Sequence, residues 1–503
     1  MKRNFFKTYR FGIASLGLLC CLSCVPSSAA SAYVWAAAIG SGNGSTWANA
    51  CTDFKGACAP GSLTRGSTYY VASGNYCASG CDFTTPDSGS SVITIQGATA
   101  ANHGSSTGWS NSMSVSRADG GAQAIFGAGS IGGAIENIEV DTDYWVFDGS
   151  VPAVESGGQL DGTTADYGFY LKTPTATQCG NGTENNLNSG VGGLTNITIM
   201  HVAAVNCGSS YNNTQTGFGF NGVTNLLVSN VYSSGAGSCF VTYQAPAPVV
   251  QYMFCHDAWS SSENHGEAFG IESTPSSNGI VRYSNIWNCG DGTGGIIALL
   301  GAVLNGWNIY GNVFYNCTGG NGVIGAGGDS QYVTNSNIYN NTIVASAFLL
   351  NQCDSGSGNC GSATGNVVEN NVFYATTCTV SGGGGGTVTD DYNSWISCSA
   401  GSPPSEAHGQ IATISSSALF ANYATQNYNV MQGAGTGTNI INPGLALSSS
   451  LPSECTSGMN CYNIDIAGTA NNPSDWMRGA YNPASGTVGT TLNPPTNLTA
   501  LAR

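Results

Sequence analysis

Six stretches between residues 196 and 376 share one grammar: a short run of alternating apolar residues, an asparagine, then a second short run. They are "NITIMHVAAVNC" from Asn196, "NLLVSNVYSSGAGSC" from Asn225, "GIVRYSNIWNC" from Gly279, "GWNIYGNVFYNC" from Gly306, "SNIYNNTIVAS" from Ser336 and "NVVENNVFYAT" from Asn366. Asn285 and Asn312 are 27 residues apart, and Asn312 and Asn341 are 29 apart. A unit of two or three short strands cannot bury its apolar face alone, so such a period predicts a solenoid whose stacked coils share one core. Helical stripes are absent, because Gly, Asn and Ser interrupt nearly every 3.6-residue pattern. Asparagine at a repeated corner suits a left-handed backbone, and stacked asparagines can bond to one another from coil to coil. "NC" ends three of the units, at Cys207, Cys289 and Cys317, where sulfur serves as a small buried hydrophobe or as half of a disulfide.

The N-terminus reads as an export signal. "MKRNFFKTYR" is basic, "FGIASLGLLCCL" is apolar but short for a membrane span, and "ASA" at 30–32 offers a cleavage site before Tyr33. No other segment is long and apolar enough to span a bilayer. Charged residues make up only 8% of the chain, against roughly 25% in ordinary globular proteins. Removing the leader leaves seven Lys and Arg against 27 Asp and Glu, a net charge of −20. Such a polyanion repels nucleic acid, anionic membranes and strongly anionic polysaccharides unless Ca²⁺ intervenes. Sixteen of the 19 cysteines lie beyond the leader, an even number that fits disulfides in an oxidising compartment. Cys51/Cys58, Cys77/Cys81, Cys353/Cys360 and Cys455/Cys461 are close in sequence, but spacing does not settle the pairing. Beyond the leader no Cys-x-x-Cys is present and His is scarce, so no metal site is assigned.

These features together resemble the right-handed parallel β-helix proteins of the pectate-lyase-like superfamily, in particular a poorly characterised bacterial subgroup. "YVWAAAIGSGNGSTWANAC" at 33–51 is similar to their opening strand, and "LTRGSTYYVASGNY" at 63–76 to the entry into the first coils. "VITIQGATAANHGSSTGW" and "DYWVFDGS" resemble first full coils, and "IDIAGTANNPSDWMRGAYNP" at 464–483 resembles a closing segment. The organisation read from this is a leader at 1–32, an N-terminal cap and first coils at 33–130, the solenoid body and closing coils at 131–482, and a tail or linker at 483–503. The resemblance implies an all-β, right-handed parallel β-helix, monomeric and extracellular or on the cell surface. It also implies polysaccharide as partner, handled by a lyase or glycoside hydrolase, or bound without catalysis by a matrix or scaffold protein.

Neither well-known catalytic set of the superfamily carries over. Lyases use a Lys or Arg base, usually with Ca²⁺ on aspartates, but the mature chain has few cations and only Arg282 and Lys172 lie near the body. "DTD" at 141–143 is a weak Ca²⁺ candidate that reads more simply as a solvated turn. The hydrolase motifs built on paired carboxylates are missing, and "DD" at 390–391 falls late. Charge and imidazole crowd instead into "SSSENHGEAFGIES" at 260–273 and its flanks, so the catalytic candidates are Glu267, Glu272, His256, Asp257, His265 and Arg282. Strand alternation predicts that Glu272 and Arg282 point outward into one groove with His256 and Asp257. Glu267, on the parity of Phe269, is expected at the strand's start, where a carboxylate can brace a corner. Asp257 next to His256 could orient an imidazole base, but neighbours on a strand face opposite ways, which argues against the pair. Trp259, Trp287, Trp307 and Tyr310, with Tyr283 and Tyr315 nearby, are candidates for stacking on sugar rings, core filling being the simpler role for each. The scarcity of cations points to a neutral or weakly charged glycan.

Overall fold

The computed structural model describes residues 30–131, 134–150, 164, 167–172, 174–175, 184–206, 215–235, 237–258, 266–273, 276–290, 295–301, 303–320, 322–326, 331–353, 360–380, 386–430, 444–445, 447, 466 and 478–480. Most of the leader and the whole of the tail therefore lie outside the described residues.

Short strands stack in parallel, each pairing with the equivalent strand one coil away. Among the described residues, one long sheet has 21 strands in two columns. The first column runs from Ser31–Val34 through Thr68–Val71, Ile93–Gly97 and Trp145–Asp148 to Ile280–Arg282, Asn308–Tyr310, Asn337–Tyr339, Asn366–Glu369 and Val388–Asp391. The second runs from Gly74–Tyr76, Ala124–Phe126 and Phe169–Leu171 to Asn285–Cys289, Val313–Cys317, Thr342–Val344, Val372–Tyr374, Ser394–Ile396 and Gln410–Ala412. Three long strands, Thr195–Val205, Thr224–Ser234 and Val249–Ala258, belong to both columns and bend between them. A ten-stranded sheet from Cys81–Phe83 to Leu350–Asn351 closes the coil. The chain is a right-handed parallel β-helix.

The corners follow the asparagine rule. Three columns of left-handed residues run up the solenoid. One includes Asn196, Asn225, Asn278 and Asn335, a second Asn230, Tyr252, Tyr283, Asn340 and Asn370, and a third Asp257, Asn288 and Asn316. The short polar side chain of Asn tolerates this backbone at low cost and bonds to the next coil. Asn225 donates to Asn196, Asn335 to Asn305, and Asn316 to Asn288. A separate ladder lies inside the coil, just past the second corner. The Nδ2 of Asn312 donates to Asn341, that of Asn341 to Asn371 and that of Asn371 to Asn393, at 3.0–3.1 Å. All four side chains are fully buried. Glu406 ends the ladder, accepting from the Asn393 backbone N–H, the Asn393 amide and the Trp395 indole.

Between the sheets lies a continuous core of inward residues such as Ile197, Val228, Val281, Ile309, Ile338 and Val368. Successive coils stack like on like: the Phe373 and Trp395 rings are 4.1 Å apart and nearly parallel. A second apolar cluster covers the outer face of the long sheet, where Leu419, Phe420, Tyr428, Val430 and Leu447 pack over Val313, Val344, Val372 and Tyr374. The closing residues lie on the same side. Arg478 Nη1 donates to the carbonyl of Asn393, the N–H of Gly479 to that of Asn370, and the N–H of Ala480 to the hydroxyl of Thr342.

Six disulfides occur among the described residues. Cys51–Cys58, Cys77–Cys81 and Cys353–Cys360 are close in sequence, whereas Cys239–Cys255, Cys289–Cys317 and Cys378–Cys398 are not. Cys289 and Cys317, each following a corner asparagine, are register partners and staple consecutive coils. Cys455 and Cys461 lie outside the described residues. No helix among the described residues is long and apolar enough to cross a membrane.

Candidate functional site

The catalytic candidates separate into three places. His256 and Asp257 end the long strand Val249–Ala258. Glu267 and Glu272 belong to the ten-stranded sheet, at the start and end of one segment. Arg282 lies in the first column of the long sheet. His265 and Trp259 fall outside the described residues.

Arg282 does not share a groove with Glu272. Its guanidinium is buried on the outer face of the long sheet, where Nε donates to Gln251 (2.8 Å) and Nη1 to the Tyr310 hydroxyl (2.7 Å). It also lies over the Tyr283 and Tyr310 rings. Alternation gave its direction correctly, but it carries no information about what covers that face. For the same reason Trp307 and Tyr310 offer nothing to a sugar ring. Trp307 is fully enclosed in the inner core, and Tyr310 is enclosed among the aromatic residues around Arg282.

Glu267 is buried at the start of its strand and accepts a hydrogen bond from the Ser238 hydroxyl one coil away (2.9 Å). Glu272 accepts from the Tyr243 hydroxyl on the preceding coil. Five residues separate the two glutamates along one chain direction, which sets their Cα atoms on the order of 15 Å apart at strand rise. The Glu267 side chain leans along the strand toward Glu272, its Oε1 3.2 Å from where a Cβ on Gly270 would sit.

The pair that alternation argued against does form. Asp257 occupies a left-handed corner (φ 54°) near the end of its strand, which breaks the alternation there. The turn swings the carboxylate onto its neighbour: His256 Nδ1 lies 2.7 Å from Asp257 Oδ2. A carboxylate only accepts, so in the neutral ring Nδ1 carries the proton and Nε2 is free to accept. Nε2 faces the Tyr232 hydroxyl at 2.6 Å, and Tyr232 in turn bonds with Ser234. The corner ladder supports the other end. Asn288 Nδ2 donates to Asp257 Oδ1 (3.3 Å), and Asn316 donates to Asn288 (2.9 Å). Trp287, one coil on in register with His256, stacks on the imidazole with ring centres 4.4 Å apart.

The electrostatics match this geometry. The bond from His256 holds Asp257 below the usual carboxylate range, with Asn288 adding to it. Burial raises the Tyr232 phenol, helped by the charge of Asp257, while the Ser234 bond opposes the rise. The Asp257 side chain is 48% exposed and the His256 side chain 17%, so the centre touches solvent.

Of a further constellation, sequence reasoning singled out only Asp141, as part of "DTD". Asp82, Glu136, Glu139 and Asp141 gather on the ten-stranded sheet, where Asp82 and Glu139 are register partners. Burial, and then the charges of Asp141 and Asp82, raise the Glu139 carboxyl; burial also raises Asp82 and Asp141. Glu139 and Asp141 converge on Gly190, where a Cβ would collide with the Glu139 carboxylate. The same-face spacing of Glu139 and Asp141 in "IEVD" was a readable signal, but Asp82 comes from an earlier coil. Asp143 of the "DTD" run accepts from the Thr195 N–H (2.7 Å), as a turn brace does. Among the described residues no group of three or more His, Cys, Asp or Glu side chains is arranged to hold a metal ion.

No protein-family profile matches the chain, and no curated protein matches it. Its structure is similar to that of pectate lyase Pel9A, with 16% identity, a TM-score of 0.48, and coverage of 90% of this chain and 96% of that one. It is similar also to a mannuronic acid specific polysaccharide family 6 lyase from human gut microbiota (10% identity, TM-score 0.33, 71% of this chain and 79% of that one). A third is the surface protein and adhesin PfbA of Streptococcus pneumoniae (11% identity, TM-score 0.25, 69% and 91%). The coil-by-coil register of the strands, rather than the degree of these likenesses, makes the chain a parallel β-helix.

Proposed function

We propose that the protein acts outside the cell on a polysaccharide that is uncharged or weakly charged, by proton transfer through Tyr232, His256 and Asp257. The observation that supports this reading is the unbroken chain from Tyr232 through both ring nitrogens of His256 to Asp257. Such a chain prepares a phenol to act as base and acid. Tyr232 passes its proton to Nε2, Asp257 steadies the imidazolium, and Ser234 bonds to the phenolate oxygen.

The reaction this suits is elimination beside an esterified uronate. The phenolate takes the proton from the carbon next to the ester carbonyl. That electron pair forms the carbon–carbon double bond as the neighbouring glycosidic C–O bond breaks. The proton held on His256 returns to Tyr232, and the one taken from carbon passes to the leaving oxygen. An ester in place of a free carboxylate fits a chain of net charge −20 after export, with seven cations in all. Trp287, stacked on His256, orients the ring rather than meeting sugar itself.

The test is a panel of neutral, esterified and free uronate polysaccharides, with Ca²⁺ and with chelator, read by ultraviolet absorbance of the unsaturated product. Tyr232→Phe and His256→Gln are each expected to lose about 100-fold or more in rate while remaining folded. Full activity in Tyr232→Phe refutes the assignment. The second reading is a glycan-binding surface protein without catalysis. It is favoured by the near-complete burial of Tyr232, and glycan binding without any product would establish it.

A further inference from the structure

The ten-stranded sheet carries a feature that the proton chain does not use. Its C-terminal outer edge is built from one row of residues on successive coils: Asn221 is the register partner of Tyr243, and Tyr243 of Glu272. The turn before Asn221 extends the row. The Gly193 N–H donates to the Asn221 carbonyl (3.1 Å), which sets Val191 beside it. Four large apolar side chains are exposed among the described residues, and two of them stand at this edge: Val191, 42% exposed, and Tyr243, 39%. Tyr243 faces out because Phe240 and Thr242 take the opposite parity and are fully buried. Its hydroxyl donates to Glu272, and burial followed by the Glu272 charge pushes the phenol up to about 12, so it stays a neutral donor.

The charge on this sheet has one sign. None of its strands carries Lys or Arg, whereas Asp82, Glu136, Glu139 and Glu272 lie on them and Glu267 just ahead of one. An anionic polymer laid here meets like charges within the roughly 8 Å over which salt leaves them unscreened. An uncharged sugar meets groups that suit it. The tyrosine ring takes the C–H face of a pyranose, the carboxylate accepts from hydroxyls, and the amide both donates and accepts. Adjacent strands lie about 4.8 Å apart, so the three side chains form a continuous track along the solenoid axis.

We infer that Asn221, Tyr243 and Glu272 form a binding ledge for uncharged polysaccharide, separate from the Tyr232–His256–Asp257 centre. The inference takes its class of ligand from the polysaccharide reading and is independent of the proton chain. Affinity electrophoresis of the exported chain in gels containing galactomannan, mixed-linkage β-glucan, methyl-esterified pectin or polygalacturonate, with chelator throughout, tests it. Retardation by at least one uncharged polymer is expected. Tyr243→Ala should weaken it about tenfold, a loss of one stacked ring. Tyr243→Phe, which keeps the ring, should retain most of it. Glu272→Gln should weaken it; melting curves establish that each variant is folded. Undiminished binding by Tyr243→Ala overturns the ledge and leaves the polysaccharide reading standing. Tighter retardation by polygalacturonate than by any uncharged polymer overturns the assigned ligand class. No retardation by any of the four overturns both the ledge and the polysaccharide reading.

Discussion

Asn341→Ala tests the inner ladder. The Asn341 side chain makes four hydrogen bonds in a site without water access. Its Nδ2 donates to the Ile309 carbonyl (2.9 Å) and to Asn371 Oδ1 (3.0 Å). Its Oδ1 accepts from the Asn312 N–H and from Asn312 Nδ2, both at 3.1 Å. At a net worth of about 1 kcal/mol each, the four bonds amount to about 4 kcal/mol. Alanine also strands their partners, because the Asn312 N–H and the Ile309 carbonyl lose the amide that they bond to. The expected cost is therefore at least about 3 kcal/mol. The matched control is Asn335→Gly, which removes an exposed rung to Asn305 while keeping a residue at ease with φ of 51°. It should cost about 0.5 kcal/mol or less. Urea unfolding followed by tryptophan fluorescence compares the two. Hydrogen exchange should show the Asn312 N–H losing protection first, because a solenoid opens coil by coil. A cost for Asn341→Ala below about 1 kcal/mol, or no larger than that of Asn335→Gly, refutes the view that these bonds hold the stack.

Two further outcomes follow from the structure. Burial, and then the charges of Asp391 and Glu406, raise the Glu369 carboxyl to about 7, with Tyr339 beside it. A carboxyl whose folded pKa lies above its unfolded value stabilises the fold fully below the unfolded value, and that stability is lost as pH rises through the folded value. Melting temperature should thus fall between about pH 4.5 and pH 7, and Glu369→Gln should flatten that part of the profile; an unchanged slope in the variant refutes it. N-terminal sequencing of exported protein should find a start within residues 31–33. The strand Ser31–Val34 pairs with Thr68–Val71, so a start at Ser31 keeps every rung while one at Tyr33 loses two; an intact leader on exported protein refutes cleavage.

The sequence by itself determined the architecture, because its causes are local and repeated. Alternation at Ile280–Arg282 or Asn308–Tyr310 places one face inward whatever the neighbours are. Asparagine at 225, 288, 316 and 335 marks corners because few other side chains tolerate a left-handed backbone. The close cysteine pairs, among them Cys51 and Cys58, were visible as neighbours, although the pairing itself is a property of the tertiary structure. Only the tertiary structure decided the site. A strand assumption set Asp257 opposite His256, but its corner lies in the same column as Asn288 and Asn316, and the left-handed turn there reverses the result. Tyr232 reaches His256 from the previous coil, 24 residues away, by a register that no local pattern specifies. Arg282 and Tyr310 point outward as alternation requires, yet they are buried, and Tyr243, outward in the same sense, is not. The side chain's direction is a property of its own strand. Whether water reaches it depends on what the rest of the chain lays over that face.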